Sequence, residues 1–309
     1  MGTLLLILDS KTALAGAKTG VTLCISTVIP ALFPFLVLSA MVMGTSFGVL
    51  GPLGRLCCLP KGAENLLIPA FLGGYPVGAR TVARAWREGR LNRREAEGLL
   101  GFCSHAGPSF IFGMGAVVFP AGWMSWALWG IHLASGVLTA RLLGPVGDRA
   151  VSLDAGKGPT LSGALSQALS VMGLICGWVV LFRVVIAFLS RWVLFLLPAQ
   201  VQILIVGLLE LTNGCCVLPL VEDTALRFTL CSGMLAAGGL CVLMQTASVT
   251  AGLSLRRYCL GKAIQTALSL LLCGCLFRGK YVIVPTALLV LALLMKKQKR
   301  AGIPARSGI

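Results

Sequence analysis

The chain has 309 residues, of which 57% are hydrophobic and only 12% charged, and its mean hydropathy is +0.92. Soluble domains carry about 25% charged residues, so this composition excludes a soluble domain of any size. The net charge of +16, from 26 Lys+Arg against 10 Asp+Glu, lies in short loops between apolar runs; that is the positive-inside pattern of a helical membrane protein, not a nucleic-acid-binding surface.

In chain order, Thr3–Leu8 is apolar but too short to span, and Asp9 and Lys11 follow it. It reads as a clipped or interfacial first helix, without the cleavage site of a signal peptide. Thr19–Met43 is the first full span, and Pro30 and Pro34 predict a kink in it. Gly44–Ala63 is a loop. Glu64–Arg80 is apolar up to Phe-Leu-Gly-Gly-Tyr-Pro-Val-Gly-Ala-Arg, residues 71–80. Three glycines and a proline there exclude a continuous helix. Backbone freed inside lipid must be satisfied by protein or water, so a broken segment at that depth is a candidate binding site. An ordinary surface turn is the plainer alternative.

Thr81–Gly98 is a charged arm with Arg84, Arg87, Arg90, Arg93 and Arg94, read as a solvated helical surface. Leu99–Pro120 is apolar with a polar break at Cys103–Ser109. Trp123–Leu143 is a plain span whose Trp123, Trp126 and Trp129 suit an interfacial belt. Residues 144–160 form a linker. Leu161–Leu189 is a long span containing Arg183, and Val201–Leu211 ends in Glu-Leu-Thr-Asn-Gly-Cys-Cys, residues 210–216. Leu226–Val249 is broken near Gly238-Gly239. Tyr258–Phe277 and Tyr281–Met295 are the last spans, and 296–309 is a basic cytoplasmic tail.

The two halves share an order. Residues 1–143 form a first membrane repeat, with tip 71–80 and broken span 99–120. Residues 161–249 form a second, with tip 210–216 and broken span 226–249, and 250–295 hold the C-terminal spans. Each half has a long span, a run ending in a broken tip, then a broken span carrying Cys-Ser, at Cys103-Ser104 and Cys231-Ser232. Paired broken segments at matching positions point to a transport site. With both tips re-entrant, nineteen basic residues fall inside and six outside. The inside stretches are 44–64, 80–98, 141–157, 250–262 and 296–309; Arg183 lies within a span. If both tips cross instead, the counts are fourteen and eleven, so the charge distribution prefers two re-entrant hairpins in an inverted repeat. The expected fold is therefore an all-α polytopic membrane protein.

The candidate substrate-binding residues follow from the breaks: Gly73, Gly74, Tyr75, Pro76 and Gly78 at the first tip, and Ser104, His105, Gly107 and Ser109 in the first broken span. Glu210, Thr212, Asn213 and Gly214 belong to the second tip, and Gln245 and Thr246 to the second broken span. Free helix N-termini at two tips suit an anionic ligand. Glu210 is an acid inside an apolar run, functional by default in a membrane or else a cap for backbone donors. Arg183 either pairs with Glu210 or snorkels. The twelve cysteines contain no C-x-x-C pair and the only histidines are His105 and His132, so no metal or cofactor is expected. No G-x-S-x-G, P-loop or H-E-x-x-H is present, and no enzyme is expected.

Residues 71–80, 103–113 and 210–214, with Val28–Phe35 in the first span, resemble the sporulation integral membrane proteins with nucleoside-recognition (Gate) domains. The resemblance covers about residues 19–295, and departs from the family pattern at His105, where Asn is usual. It implies a fold similar to the transport domain of concentrative nucleoside transporters, with two re-entrant hairpins and two broken helices. It also implies a carrier of a small anion, dipicolinic acid by analogy with the stage V sporulation type, at the outer forespore membrane. The alternatives are a nucleoside or other small-metabolite carrier, or a non-transporting membrane protein needed for spore assembly. The implied partners are a small-molecule anion and the lipid bilayer; oligomeric state is left open.

Overall fold

A computed structural model describes residues 7–42, 50–144, 146 and 159–278. The expected last span at 281–295, the basic tail and most of the 144–160 linker lie outside them. Every element among the described residues is helical. Four stretches are long and apolar enough to cross a bilayer: Ser10–Leu38, Leu161–Trp192, Thr224–Val249 and Arg256–Phe277. The chain is an integral membrane protein.

The first helix begins earlier than the sequence predicts. α1 spans Ser10–Leu23, started by Asp9, whose carboxylate accepts from the Thr12 N–H. Lys11 and Lys18 are tolerated because both sit on its exposed side, where long side chains reach water while their stems cover apolar surface. A π-turn at Cys24–Val28 joins α1 to α2, Ile29–Val42. The turn falls just before Pro30, which lacks a donor and crowds the carbonyl four residues back.

The long helix α9, Leu161–Trp192, lies antiparallel against α1–α2. Gly16 and Gly20 let the backbones meet: a Cβ at Gly16 would lie 2.9 Å from Ala187 Cβ, and one at Gly20 would lie 2.9 Å from Val180 Cα. This is small-residue spacing of the kind that brings membrane helices together by van der Waals contact. Arg191 pairs with Asp9 at 3.0 Å and ties the far ends of the pair.

Short α3, Gly51–Leu56, leads to the first hairpin, made of α4, Leu67–Phe71, and α5, Val77–Arg87. α6, Arg93–Leu100, completes the arm with a reciprocal cap: Asn92 Oδ1 accepts from Glu95 N, and Glu95 Oε2 accepts from Asn92 N, both at 2.9 Å. The arm is only half the solvated surface expected. Arg84, Arg87, Arg93 and Arg94 are exposed and Arg90 is half-buried, while Val82, Ala85, Leu91, Glu95 and Ala96 are buried.

An extended crossing at 104–107 separates α6 from α7, Pro108–Val118. α8, Gly122–Leu143, exposes Trp123 and Trp126 but is not a plain span. Its buried face carries His132, Ser135 and Thr139, and it falls outside the four strongly apolar stretches.

The second half contains α10, Ala199–Leu209, and α11, Leu211–Val217, which fold back on each other. They are followed by α12, Thr224–Ala237, α13, Gly239–Val249, and α14, Arg256–Arg278. The break in the Thr224–Val249 span occurs at Gly238, whose φ of +76° is left-handed and disfavours a side chain there. α12, α14 and α8 pack together, with Phe228, Met234 and Leu128 in their shared core.

Candidate functional site

Both expected tips are real helix reversals. At the first, a Cβ on Gly78 would sit 3.0 Å from Ala70 Cα, so the two arms of the hairpin touch. At the second, a Cβ on Gly214 would lie 2.3 Å from Gly207 Cα. Gly78 also abuts the Cys103 carbonyl, where a Cβ would fall at 1.7 Å. Gly78 and Gly214 are therefore packing positions, with no room to approach a ligand. Gly73 is likewise held against the Pro69 carbonyl and Val77.

The tips converge on the breaks. Gly74, at φ +74°, lies against Gly107 of the first broken span, and a Cβ on Gly107 would be 3.2 Å from the Gly74 backbone. Tyr75 precedes a cis bond to Pro76 and reaches across to the second broken span, where its hydroxyl donates to the Leu235 carbonyl at 2.6 Å. Gly239 of that break packs on the Gly207 and Leu208 carbonyls of α10.

Glu210 is 2% exposed. Its Oε1 accepts from Thr212 N at 3.0 Å, and its Oε2 accepts from Asn213 N at 2.7 Å and from Asn213 Nδ2 at 2.6 Å. The carboxylate thus fills the N-terminus of α11 itself. This corrects the expectation of a free helix end at the second tip, because the donors that would attract an anion are already taken. Of the two readings of Arg183, the pairing with Glu210 is absent among the ion pairs of the described residues, and Arg183 Nε has no hydrogen-bond partner among them.

Three cavities are strung along the α1–α2/α9 pair. The first, about 370 Å³, is bounded by Leu36 and Ala40 of α2, by Gln167 and Val171 of α9, and by Arg80, Arg84, Arg87 and Arg90. The middle cleft has only about 30 Å³ of free space, between Val28 and Leu32 on one helix and Ile175 and Val179 on the other. It gathers five of the expected residues, Tyr75, Gly107, Glu210, Thr212 and Gln245. The third, about 830 Å³, lies between Thr19 and Leu23 and the α9 residues Arg183, Ile186 and Ser190, and Asn213 opens onto it. From Ala168 to Ile186 the helix rises about 27 Å at 1.5 Å per residue, close to the ~30 Å of a hydrocarbon core.

Ser104, His105 and Thr246 are buried away from these cavities, and Ser109 is half-buried on α7. Ser104, His105 and Thr246 belong instead to a cluster not apparent in the sequence, centred on Lys262 of α14. The charge count placed Lys262 in an inside loop, but it is 9% exposed within the helix. Its Nζ donates to Tyr75 Oη at 3.1 Å and to Gln265 Oε1 at 3.3 Å, and lies 4.6 Å from the Tyr75 ring centroid. Gln265 Nε2 meets His105 Nδ1 at 3.0 Å, and His105 stacks on Phe71 with centroids 4.3 Å apart. His132 Nε2 accepts from Ala106 N at 3.0 Å. A signal was available: one basic residue inside an apolar span is a functional candidate by its cost alone.

Among the described residues no group of three or more His, Cys, Asp or Glu side chains is arranged to hold a metal ion.

Among curated proteins, the chain is similar to the sporulation integral membrane protein YlbJ of Bacillus subtilis (strain 168). The two are 35% identical over 127 residues, covering 38% of this chain and 30% of that protein. The match thus spans under a third of that relative's length. No protein-family profile matches the chain, and no solved structure matches it.

Proposed function

We propose that the protein is a membrane carrier of a small anionic metabolite, made during sporulation, with dipicolinic acid moved across the outer forespore membrane as the specific cargo. The observation that carries this reading is the line of three cavities. A narrow cleft at the two hairpin tips separates two larger vestibules along one antiparallel helix pair. A carrier needs a central site that opens to one side at a time. The arginines of the first vestibule suit a negative cargo, with Arg84 and Arg90 partly balanced by Glu88; the second holds Arg183 together with Glu222 and Asp223. Sporulation is supported by the similarity to YlbJ, and dipicolinate by the family resemblance of residues 71–80 and 210–214.

In this reading the two halves form an inverted repeat with re-entrant hairpins. Long helix, hairpin, broken helix and closing helix recur in that order as α1–α2, α4–α5, α6–α7 and α8, then as α9, α10–α11, α12–α13 and α14. The chain performs no covalent chemistry, and lipid and cargo are its partners.

The test is uptake of radiolabelled pyridine-2,6-dicarboxylate into proteoliposomes holding the purified full chain. Saturable uptake that excess unlabelled dicarboxylate abolishes and uridine does not is the expected result. Uptake of uridine with none of the dicarboxylate overturns the anionic reading. Uptake of neither overturns the carrier.

A further inference from the structure

The surroundings of Lys262 are one-sided. No carboxylate among the described residues comes within ion-pair distance of it. A buried charge is normally paired, because taking it out of water is costly. Here the neighbours are a phenol, an amide and two aromatic faces, the second being Tyr258 at 5.9 Å.

Around it lie most of the buried side-chain polar atoms that lack a partner among the described residues. Ser104 and Thr246 lie within hydrogen-bonding reach of the Tyr258 hydroxyl, although none of the three oxygens meets strict hydrogen-bond geometry; the three hydroxyls therefore have only one another to turn to. His105 Nε2 and His132 Nδ1 are also unpartnered. Both imidazole atoms are donors. Lys262 engages the Gln265 carbonyl oxygen, so the Gln265 amide donates to His105 Nδ1 and the ring proton sits on Nε2. His132 Nε2 accepts a backbone N–H, so its proton sits on Nδ1. The region thus offers an ammonium, three hydroxyls and two ring N–H groups, and its missing component is an acceptor carrying negative charge.

We propose that the Lys262 ammonium, with the hydroxyls of Ser104, Thr246 and Tyr258, forms a subsite for a carboxylate group of the cargo. A carboxylate accepts about four hydrogen bonds and supplies the charge that the buried cation lacks. Tyr75 is the partition. It lines the middle cleft, and its ring lies beside Lys262 on the other side. Gln245 lines the same cleft and is adjacent in the chain to Thr246. The carboxylate enters the subsite when the Tyr75 side chain withdraws with its hairpin, exchanging the Lys262–Tyr75 bond for an ion pair. This inference rests on the anionic-carrier reading and names the group that recognises the anion.

The test is equilibrium binding of pyridine-2,6-dicarboxylate and of benzoate to the purified full chain, wild type against Lys262→Met and Tyr258→Phe. Methionine keeps the volume of the lysine stem and removes the buried ammonium, leaving the Gln265 carbonyl oxygen without its donor. Phenylalanine removes only the Tyr258 oxygen, which lies within reach of Thr246 and Ser104. Expected are a loss of about thirtyfold or more for both probes in Lys262→Met and a smaller loss in Tyr258→Phe, with Lys262→Met melting somewhat below wild type for its lost buried hydrogen bonds and both variants keeping a cooperative melting transition. Unchanged affinity in Lys262→Met overturns the subsite and leaves the carrier reading standing. Absence of carboxylate binding to the wild type overturns both.

Discussion

Lys262 donates a 3.1 Å hydrogen bond to the hydroxyl of Tyr75, a residue 187 positions earlier in the chain. The same hydroxyl donates onward to Leu235 at 2.6 Å, so one phenol joins the first tip to the second broken helix and to α14. Tyr75→Phe removes both bonds and leaves a buried carbonyl and a buried ammonium each short of a partner. The expected cost is about 1–3 kcal/mol of stability, read as a lowered melting temperature in detergent.

Glu210 accepts three hydrogen bonds with two oxygens. In Glu210→Gln one of those oxygens becomes an NH2 that faces donors. The substitution is expected to destabilise the chain by roughly 1–3 kcal/mol and to slow dicarboxylate uptake, with Glu210→Asp intermediate. Uptake and melting temperature equal to wild type in Glu210→Gln contradict the cap as a working part.

Gly78→Ala sets a methyl into the Cys103 carbonyl, 1.7 Å away, whereas Gly113→Ala meets only Ala31 Cβ at 3.6 Å. Overpacking of this kind costs about 1–3 kcal/mol. Thermal unfolding in the same detergent should separate the two variants, Gly78→Ala melting lower and Gly113→Ala staying near wild type.

Glu97 links the arm to the segment before α14, its Oε1 accepting from Arg93 Nε and from Ser254 N, each at 2.9 Å. These bonds hold the carboxyl below its ordinary value of 4.5, the Arg93 hydrogen bond first and the Ser254 backbone bond second. A depressed carboxyl contributes stability that is present above its unfolded value and is lost as pH falls through the lower folded value. Hydrogen-exchange protection factors around residues 250–256, each taken against the intrinsic rate at that pH, should therefore fall on acidification below pH 4.5, and Glu97→Gln should remove that dependence. The site is exposed, so the effect is small and salt-sensitive.

Re-entrant geometry at the first hairpin puts residues 55 and 90 on one side of the membrane. In a cysteine-free background, Arg55→Cys and Arg90→Cys are expected to react with an impermeant maleimide from the same side. Reaction from opposite sides makes the hairpin a crossing.

Much of the architecture was legible in the chain. Continuous apolar runs specify spans because lipid admits only internally bonded backbone. Gly and Pro at 73–78 and at 238–239 mark breaks because they weaken or forbid the helix. The second tip was legible through Glu-Leu-Thr-Asn-Gly; of its two readings, Glu210 as a cap for backbone donors agrees with the structure, and the free helix end does not, because the Glu210 carboxylate occupies it. Gly78 and Gly214 looked like ligand approaches and are contacts between helices, a distinction that depends on which backbone lies opposite. The reading of α8 as a plain span failed for the same reason: His132, Ser135 and Thr139 are diluted by tryptophans and leucines in sequence and collected on one face in space.

The sequence by itself determined that this is a helical membrane protein with two interrupted segments, because backbone satisfaction and hydropathy act locally along the chain. Only the tertiary structure decided that Lys262 is buried beside Tyr75 with no carboxylate partner among the described residues, and that donors from α8, α14 and both broken segments surround it. Whether a buried charge has a counter-charge depends on distances between residues far apart in sequence. No local pattern encodes those distances, and packing sets them.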